Sequence, residues 1–336
     1  MQTIRMADVT HGQARKQLRR TGAEPVGSVE VVDADGPAKW RSGTVAAISS
    51  GSAAMVFVGS SVAVSAGLGS APMFTAQAVR YAVACLLLLC IARSSGRRLS
   101  MPCGREWCWL LGVSATGLVL FNVALIRGGQ HAEPAVLGVA VACVPVALAV
   151  VGPLLEGRRP TVVVIVAALV VTAGAALVEG VGRSDAVGLL WAVAVLGCEA
   201  GFTLLALPVL PRHGPWGVSV HSTWLAALIF AVLGVVREGP AAVTRLTGLD
   251  LAAVGYLAVA VTAVAFLLWY SSVRSLGAGR AGLLTGIAPI AAAAVGILVG
   301  KPAPAPVVWI GIAVVAGGLV VGLSGVGAGG DSPRRN

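Results

Sequence analysis

Ten apolar runs of about twenty residues each constrain this chain more than any other feature. They are Val45 to Leu68, Pro72 to Ala92, Trp107 to Ile126, Pro134 to Leu155, Thr161 to Val178, Val187 to Val209, Trp216 to Val236, Leu251 to Tyr270, Ala281 to Val299 and Pro306 to Leu323. A run of that length crosses the roughly 30 Å hydrocarbon core as a helix. A membrane barrel would instead show segments of about ten residues alternating in polarity. The runs predict an all-α membrane protein with ten transmembrane helices, so the lipid bilayer is its first partner. Only 11% of the 336 residues are charged, against roughly 25% in a soluble domain.

The formal net charge is +10, which on its own would fit a nucleic-acid binder. Sorting the basic residues by loop removes that reading. With the N-terminus on the inside, eighteen of the 24 lysines and arginines fall in inside segments, five in outside loops, and Arg80 within a span. This asymmetry is the positive-inside pattern, so the charge reports orientation and no nucleic-acid partner is implied. Both termini are expected in the cytoplasm. Residues 1 to 43 are polar and without apolar periodicity, and read as a disordered basic tail. Residues 324 to 336 read as a short cytoplasmic C-terminal tail.

The chain repeats itself. A gapless shift of 144 positions lays Gly138 on Gly282, Pro145 on Pro289, Gly152 on Gly296, Pro160 on Pro304 and Gly174 on Gly318. These residue types shape backbone. Five spans per copy is an odd number, so the second copy enters the membrane from the opposite side, giving two inverted five-helix repeats over residues 45–181 and 187–323. Pro145 and Pro289 fall inside spans, where a missing N–H bends a helix. Interrupted helices at corresponding positions of inverted halves point to a substrate site near the midplane, and the two prolines are expected to form helix-breaking gates there.

Other motifs carry less. The six cysteines form no CxxC pair, so neither a disulfide nor a metal site is assigned. "HAEP" at His131 lacks the PCxxC of zinc deaminases. "GVGAGG" lacks the following helix of a dinucleotide site. No cofactor is expected.

The stretch "PMFTAQAVRYAVACLLLL", the pattern "PAVLGVAVACVPVALAVVGPLLEGRRPT" leading into "AALVVTAGAAL", and "WYSSVRSLGAGRAGLLTGIAPIAAAAVGILVGKPAP" resemble the two copies of an EamA-type transporter of the drug/metabolite transporter superfamily. The resemblance covers roughly residues 45 to 323. It implies a ten-helix secondary carrier, usually of the bacterial inner membrane, moving amino acids, other metabolites or drugs, often outward and in exchange for protons. Whether the chain forms a homodimer is left open. One departure stands out: Lys301 in "GKPAP" lies outside where Glu156 in "EGRRP" lies inside. The resemblance also implies that the third, fourth, eighth and ninth helices, with the first and sixth, face a central cavity.

The polar and aromatic candidates on those helices are Thr116, Asn122, Glu199, Thr203, Trp269, Tyr270 and Thr285. The threonines equally suit hydrogen bonds between neighbouring helices, and Trp269 and Tyr270 equally suit an interfacial belt. Arg80 is an intramembrane charge, costly at roughly 2.5 kcal/mol or more without a partner. The sequence leaves open whether that partner is Glu199, a backbone carbonyl or a headgroup. In "GCEAG", Gly197 and Gly201 have the small-xxx-small spacing of a close helix contact. Glu199 points away from that face, and lipid strongly disfavours an ionised carboxylate. The cavity remains, where Glu199 would load and release protons or meet a substrate amine. The sum of these readings is a proton-coupled exporter of a small-molecule substrate by alternating access. A membrane-embedded enzyme or a channel is the alternative; against them stand the absence of a nucleophile with a base and of a filter-like loop.

Overall fold

The computed structural model describes residues 36–65, 71–300 and 304–324. The chain divides into two units, Met1–Trp40 and Arg41–Asn336. Ten helices among the described residues are long and apolar enough to cross a membrane. They are α1 (Gly36–Ser65), α2 (Met73–Ser94), α3 (Glu106–Gly128), α4 (Pro134–Leu155), α5 (Val162–Glu179), α6 (Ala186–Leu204), α7 (Leu210–Glu238), α8 (Gly248–Leu276), α9 (Ala278–Leu298) and α10 (Pro306–Ser324). Helix α1 begins at Gly36, ahead of the apolar run that starts at Val45. The tail expected over residues 1–35, Lys301 and the C-terminal tail from residue 325 lie outside the described residues.

Local chemistry sets the ends. Helix α4 starts with Pro134, whose missing N–H is harmless in the first turn. Helix α6 is capped by Asp185, which accepts from Gly188 N at 2.7 Å. A capping box of Thr247 and Asp250 opens α8. Between α8 and α9 the chain turns at Gly277, whose φ of 78° is costly for any residue with a Cβ. Glu156, from the loop after α4, accepts from Ala278 N at 2.9 Å and so caps α9.

Each repeat holds five spans, α1–α5 and α6–α10, and helices pack on their own counterparts: α2 on α7, α4 on α9, α5 on α10. Such self-pairing is what a pseudo-two-fold relation between the repeats produces for helices that lie next to its axis. At the α5–α10 contact a Cβ on Gly174 would lie 2.7 Å from Val315 N and 2.8 Å from Gly311 O, so the backbones touch where only glycine fits. At α4–α9, Gly152 faces Ala278 and Gly282 faces Leu148.

The helices break where the prolines lead one to expect. Helix α4 comprises Pro134–Ala142 and Val144–Leu155, with Pro145 second in the latter. The carbonyl of Ala142, left over at the break, accepts from Thr172 Oγ1 of α5 at 2.9 Å, which meets the demand that lipid-embedded backbone be satisfied within the protein. Helix α9 passes through a 3-10 turn, Leu284–Gly286, just before Pro289. Two further irregularities had no counterpart in the sequence reading: Ser114–Leu120 in α3 and Leu257–Val264 in α8 are π-helical. The shift of 144 superposes them to within one residue.

Candidate functional site

A cavity of about 900 Å³, its open mouth included, lies between the halves. Helix α1 contributes Met55, Val58 and Ser61, α2 Arg80 and Tyr81, and α4 Val141. Helix α3 lines it from Gly117 to Leu125, α6 with Glu199 and Phe202, and α8 with Val261, Ala265, Phe266 and Trp269. Both π-helical stretches reach its wall, through Gly117 and Leu118 on one side and Val261 on the other. Such irregular turns recur at functional sites because they re-aim side chains and loosen the backbone ladder.

The lining follows the repeat. Met55 and Glu199, Val58 and Phe202, Gly117 and Val261, Phe121 and Ala265, Asn122 and Phe266, Leu125 and Trp269 all border the cavity and each pair stands 144 positions apart. Matching positions carry unlike chemistry: a carboxylate faces a thioether, an amide a phenyl ring, an indole an isobutyl group. A symmetric backbone thus encloses an asymmetric site.

A polar network crosses one wall. Arg80 Nε donates to Thr262 Oγ1 at 2.9 Å and its guanidinium lies 5.1 Å from the centre of the Tyr81 ring. Gln77 Nε2 donates to Asn122 Oδ1 at 2.9 Å while its Oε1 accepts from Arg80 at 3.4 Å. Asn122 Nδ2 donates to Tyr81 Oη at 3.3 Å. Arg80 thereby meets neutral oxygens, and among the described residues it has no carboxylate within 4.0 Å. Its protein partners are thus the Thr262 hydroxyl and the Gln77 amide, and neither Glu199 nor a backbone carbonyl takes that place among the described residues. Glu199 borders the same cavity, half-buried, and accepts no hydrogen bond among the described residues.

Aromatic rings fill the space between the C-terminal ends of α6 and α8. Phe202 lies 4.8 Å from Phe266 and 5.2 Å from Tyr270, between ring centres. Tyr270 Oη donates to Phe202 O at 3.1 Å, and Trp269 Nε1 donates to Thr203 Oγ1 at 3.0 Å.

Of the residues singled out in the sequence, Arg80, Asn122, Glu199 and Trp269 therefore meet at one cavity. Thr116, Thr203, Tyr270 and Thr285 do not border it. Thr116 donates to Gly112 O and Thr285 to Gly282 O, each within its own helix. Thr203 and Tyr270 are spent on the aromatic layer behind the wall. Trp269 and Tyr270 are buried rather than placed in an interfacial belt. Helix α9, expected at the cavity, supplies no lining residue, and α2 does instead. The Gly197–Gly201 contact also needs correction: Gly201 packs near Thr116 of α3, but Gly197 faces open space. Gln77 and Thr262 were missed. Gln77 was within reach of the reasoning used for Arg80, being a polar residue one turn earlier in the same span.

Two repeats of five helices around a central cavity that mixes charge with aromatic walls define a multi-pass membrane transporter. The comparisons make this specific. The model of the EamA-like transporter family matches twice, over residues 45–180 and 186–323, and the chain belongs to that family. It is 28% identical over 278 residues to the uncharacterized transporter YetK of Bacillus subtilis (strain 168), covering 80% of this chain and 84% of that protein. One solved crystal structure superposes with a TM-score of 0.70 at 20% identity, covering 82% of this chain and 95% of the other, a likeness of fold.

Proposed function

We propose that this transporter is a proton-coupled exporter of small amphipathic metabolites, amino acids foremost among them, working by alternating access in the bacterial inner membrane with both termini in the cytoplasm. One observation carries the reading: Arg80 and Glu199 border the same cavity and neither is neutralised by the other or by another charged group among the described residues. Buried charges are normally paired. A zwitterion supplies both partners at once, its carboxylate at Arg80 and its ammonium at Glu199, with its side chain against Phe202, Phe266 and Trp269. In the empty state a proton on Glu199 takes the place of the ammonium, so substrate and proton compete for one group and their fluxes couple. The matched breaks at Pro145 and Pro289 supply flexible points in both halves.

The test is counterflow in liposomes of purified protein, screening radiolabelled amino acids and toxic cations with and without a proton gradient. Saturable exchange of an amino acid that the gradient accelerates supports the proposal. Flux that never saturates, or exchange indifferent to the gradient, overturns it.

A further inference from the structure

A second hollow lies away from the transport cavity, where the C-terminal end of α2, the segment leading into α3 and the first half of α7 meet. It encloses about 920 Å³, its mouth included. Its walls are apolar: Leu89, Leu99, Met101, Trp107, Val220 and Trp224. The polar groups at its floor are already occupied. Trp224 Nε1 donates to His221 Nδ1 at 3.3 Å, and His221 Nε2 lies 3.0 Å from Ser100 O. The Cys85 thiol points at Val220 O, 3.9 Å away. Nothing inside asks for a polar guest.

The mouth is different. Arg93 and Arg97 border it, both exposed, and among the described residues neither has a carboxylate within 4.0 Å. Arg97 stacks over the Trp216 ring, its guanidinium carbon 5.1 Å from the ring centre, which fixes its charge at the rim. Two cations above an apolar slot between membrane helices complement one chemistry: a phosphate attached to a hydrocarbon chain. We infer that this hollow is a binding site for an anionic phospholipid, with one acyl chain between α2 and α7 and the phosphate between Arg93 and Arg97. Positive-inside counting puts these arginines on the cytoplasmic face, where anionic headgroups attract basic residues. Because α2 carries Arg80 to the transport cavity and packs on α7, an occupied slot braces the helix that holds Arg80.

The experiment reads tryptophan quenching by brominated lipids in reconstituted vesicles, since Trp107 and Trp224 line the slot. Brominated phosphatidylglycerol should quench more strongly than brominated phosphatidylcholine at equal mole fraction. Two basic groups correspond to a preference of roughly thirtyfold in affinity. The preference should vanish in the double variant Arg93→Gln, Arg97→Gln, survive in the Arg93→Lys, Arg97→Lys pair, and be unaffected by added inorganic phosphate. Equal quenching by the two lipids would show an ordinary lipid-facing surface and overturn the inference. So would a preference that persists in the glutamine pair, or one that inorganic phosphate abolishes. None of these readings depends on what the central cavity carries.

Discussion

Arg80 and Thr262 are joined across the repeats: the guanidinium Nε donates to the threonine Oγ1 at 2.9 Å, from α2 of the first copy to the π-helical stretch of α8 in the second. The same hydroxyl donates to Leu257 O, five residues back, at 2.9 Å. One oxygen therefore closes a wide helical turn and steadies an intramembrane cation without neutralising it. A neutral acceptor holds the arginine in place and leaves its charge free for a ligand, which a carboxylate partner would not.

Arg80→Gln removes that charge while keeping a hydrogen-bonding side chain. The variant should insert normally and lose transport of carboxylate-bearing substrates by roughly tenfold or more, since a hydrogen bond to a charged group contributes about 1.5–3 kcal/mol. Thr262→Val should weaken transport less, because it loosens the arginine without removing it. Counterflow rates in liposomes, normalised to inserted protein, check both. Equal rates for wild type and Arg80→Gln would remove Arg80 from the site.

Gly174→Val should destabilise the protein by about 1–3 kcal/mol, the usual cost of overpacking. Its Cβ would meet the backbone of α10, at Val315 N and Gly311 O, and backbone cannot swing aside as a side chain can. Gly317→Val is the control, because a Cβ there meets nothing within 4 Å. Thermal unfolding in detergent should show a lower midpoint for the first variant and little change for the second.

Much of this fold was written in the chain. Ten apolar runs gave the spans, and glycines and prolines 144 positions apart gave the repeat, because both features act locally: length decides crossing, and a missing N–H or Cβ decides backbone. Direction around a helix was harder to read. Thr203 and Tyr270 lie at the same depth as the cavity, yet one accepts from Trp269 and the other donates to Phe202 O, contacts set by residues more than sixty positions away. Gly197 has the spacing for a close contact and no neighbour to make it with. Arg80 finds its acceptor 182 residues along the chain. The π-helical stretches have no local signature, because ordinary helix formers adopt them when packing pulls a turn wide.

Pro145→Ala and Pro289→Ala should each leave the protein inserted and slow its transport. Alanine supplies the N–H that proline lacks, so the breaks at Cys143 and at Leu284–Gly286 become able to close into continuous helix. Stopped-flow transport rates test this. Unchanged rates in both variants would leave the prolines as packing residues alone.

Acid should weaken the N-terminal end of α6 through Asp185. Its carboxyl is held below the usual carboxylate range, first by the backbone N–H of Gly188 and then by the His131 side chain 2.9 Å away. A lowered folded-state value means that the stabilisation is complete above the unfolded value of about 3.9 and fades as pH falls below it. Asp185→Asn keeps a capping side chain that does not titrate. The wild type should have the higher unfolding midpoint at pH 7, and it should lose more stability than the variant between about pH 4 and pH 2, so that the gap closes. Parallel loss in both would place the acid sensitivity elsewhere.

Glu199 sits where the symmetry of the lining breaks most sharply. Its counterpart in the first repeat is Met55, so one wall of the cavity offers a carboxylate where the other offers a thioether. No protein group among the described residues donates to it, and the nearest cation on the lining, Arg80, is engaged with Thr262 and Gln77. A carboxylate left in this condition has two ways to avoid an unpaired charge in a low-dielectric site: to bind a proton or to bind a substrate cation. If the two exclude each other, the proton gradient drives the substrate. Glu199→Gln keeps the size and the hydrogen-bonding capacity and abolishes the choice. The variant should insert, retain exchange of substrate down its own gradient at a reduced rate, and lose both acceleration by a proton gradient and the pH dependence of transport. Measuring counterflow and gradient-driven uptake side by side across pH 5.5 to 8.5, a span of about three units around neutrality, separates these effects. Gradient-driven transport at the wild-type rate with an unaltered pH profile would show that Glu199 only fixes the packing of α6.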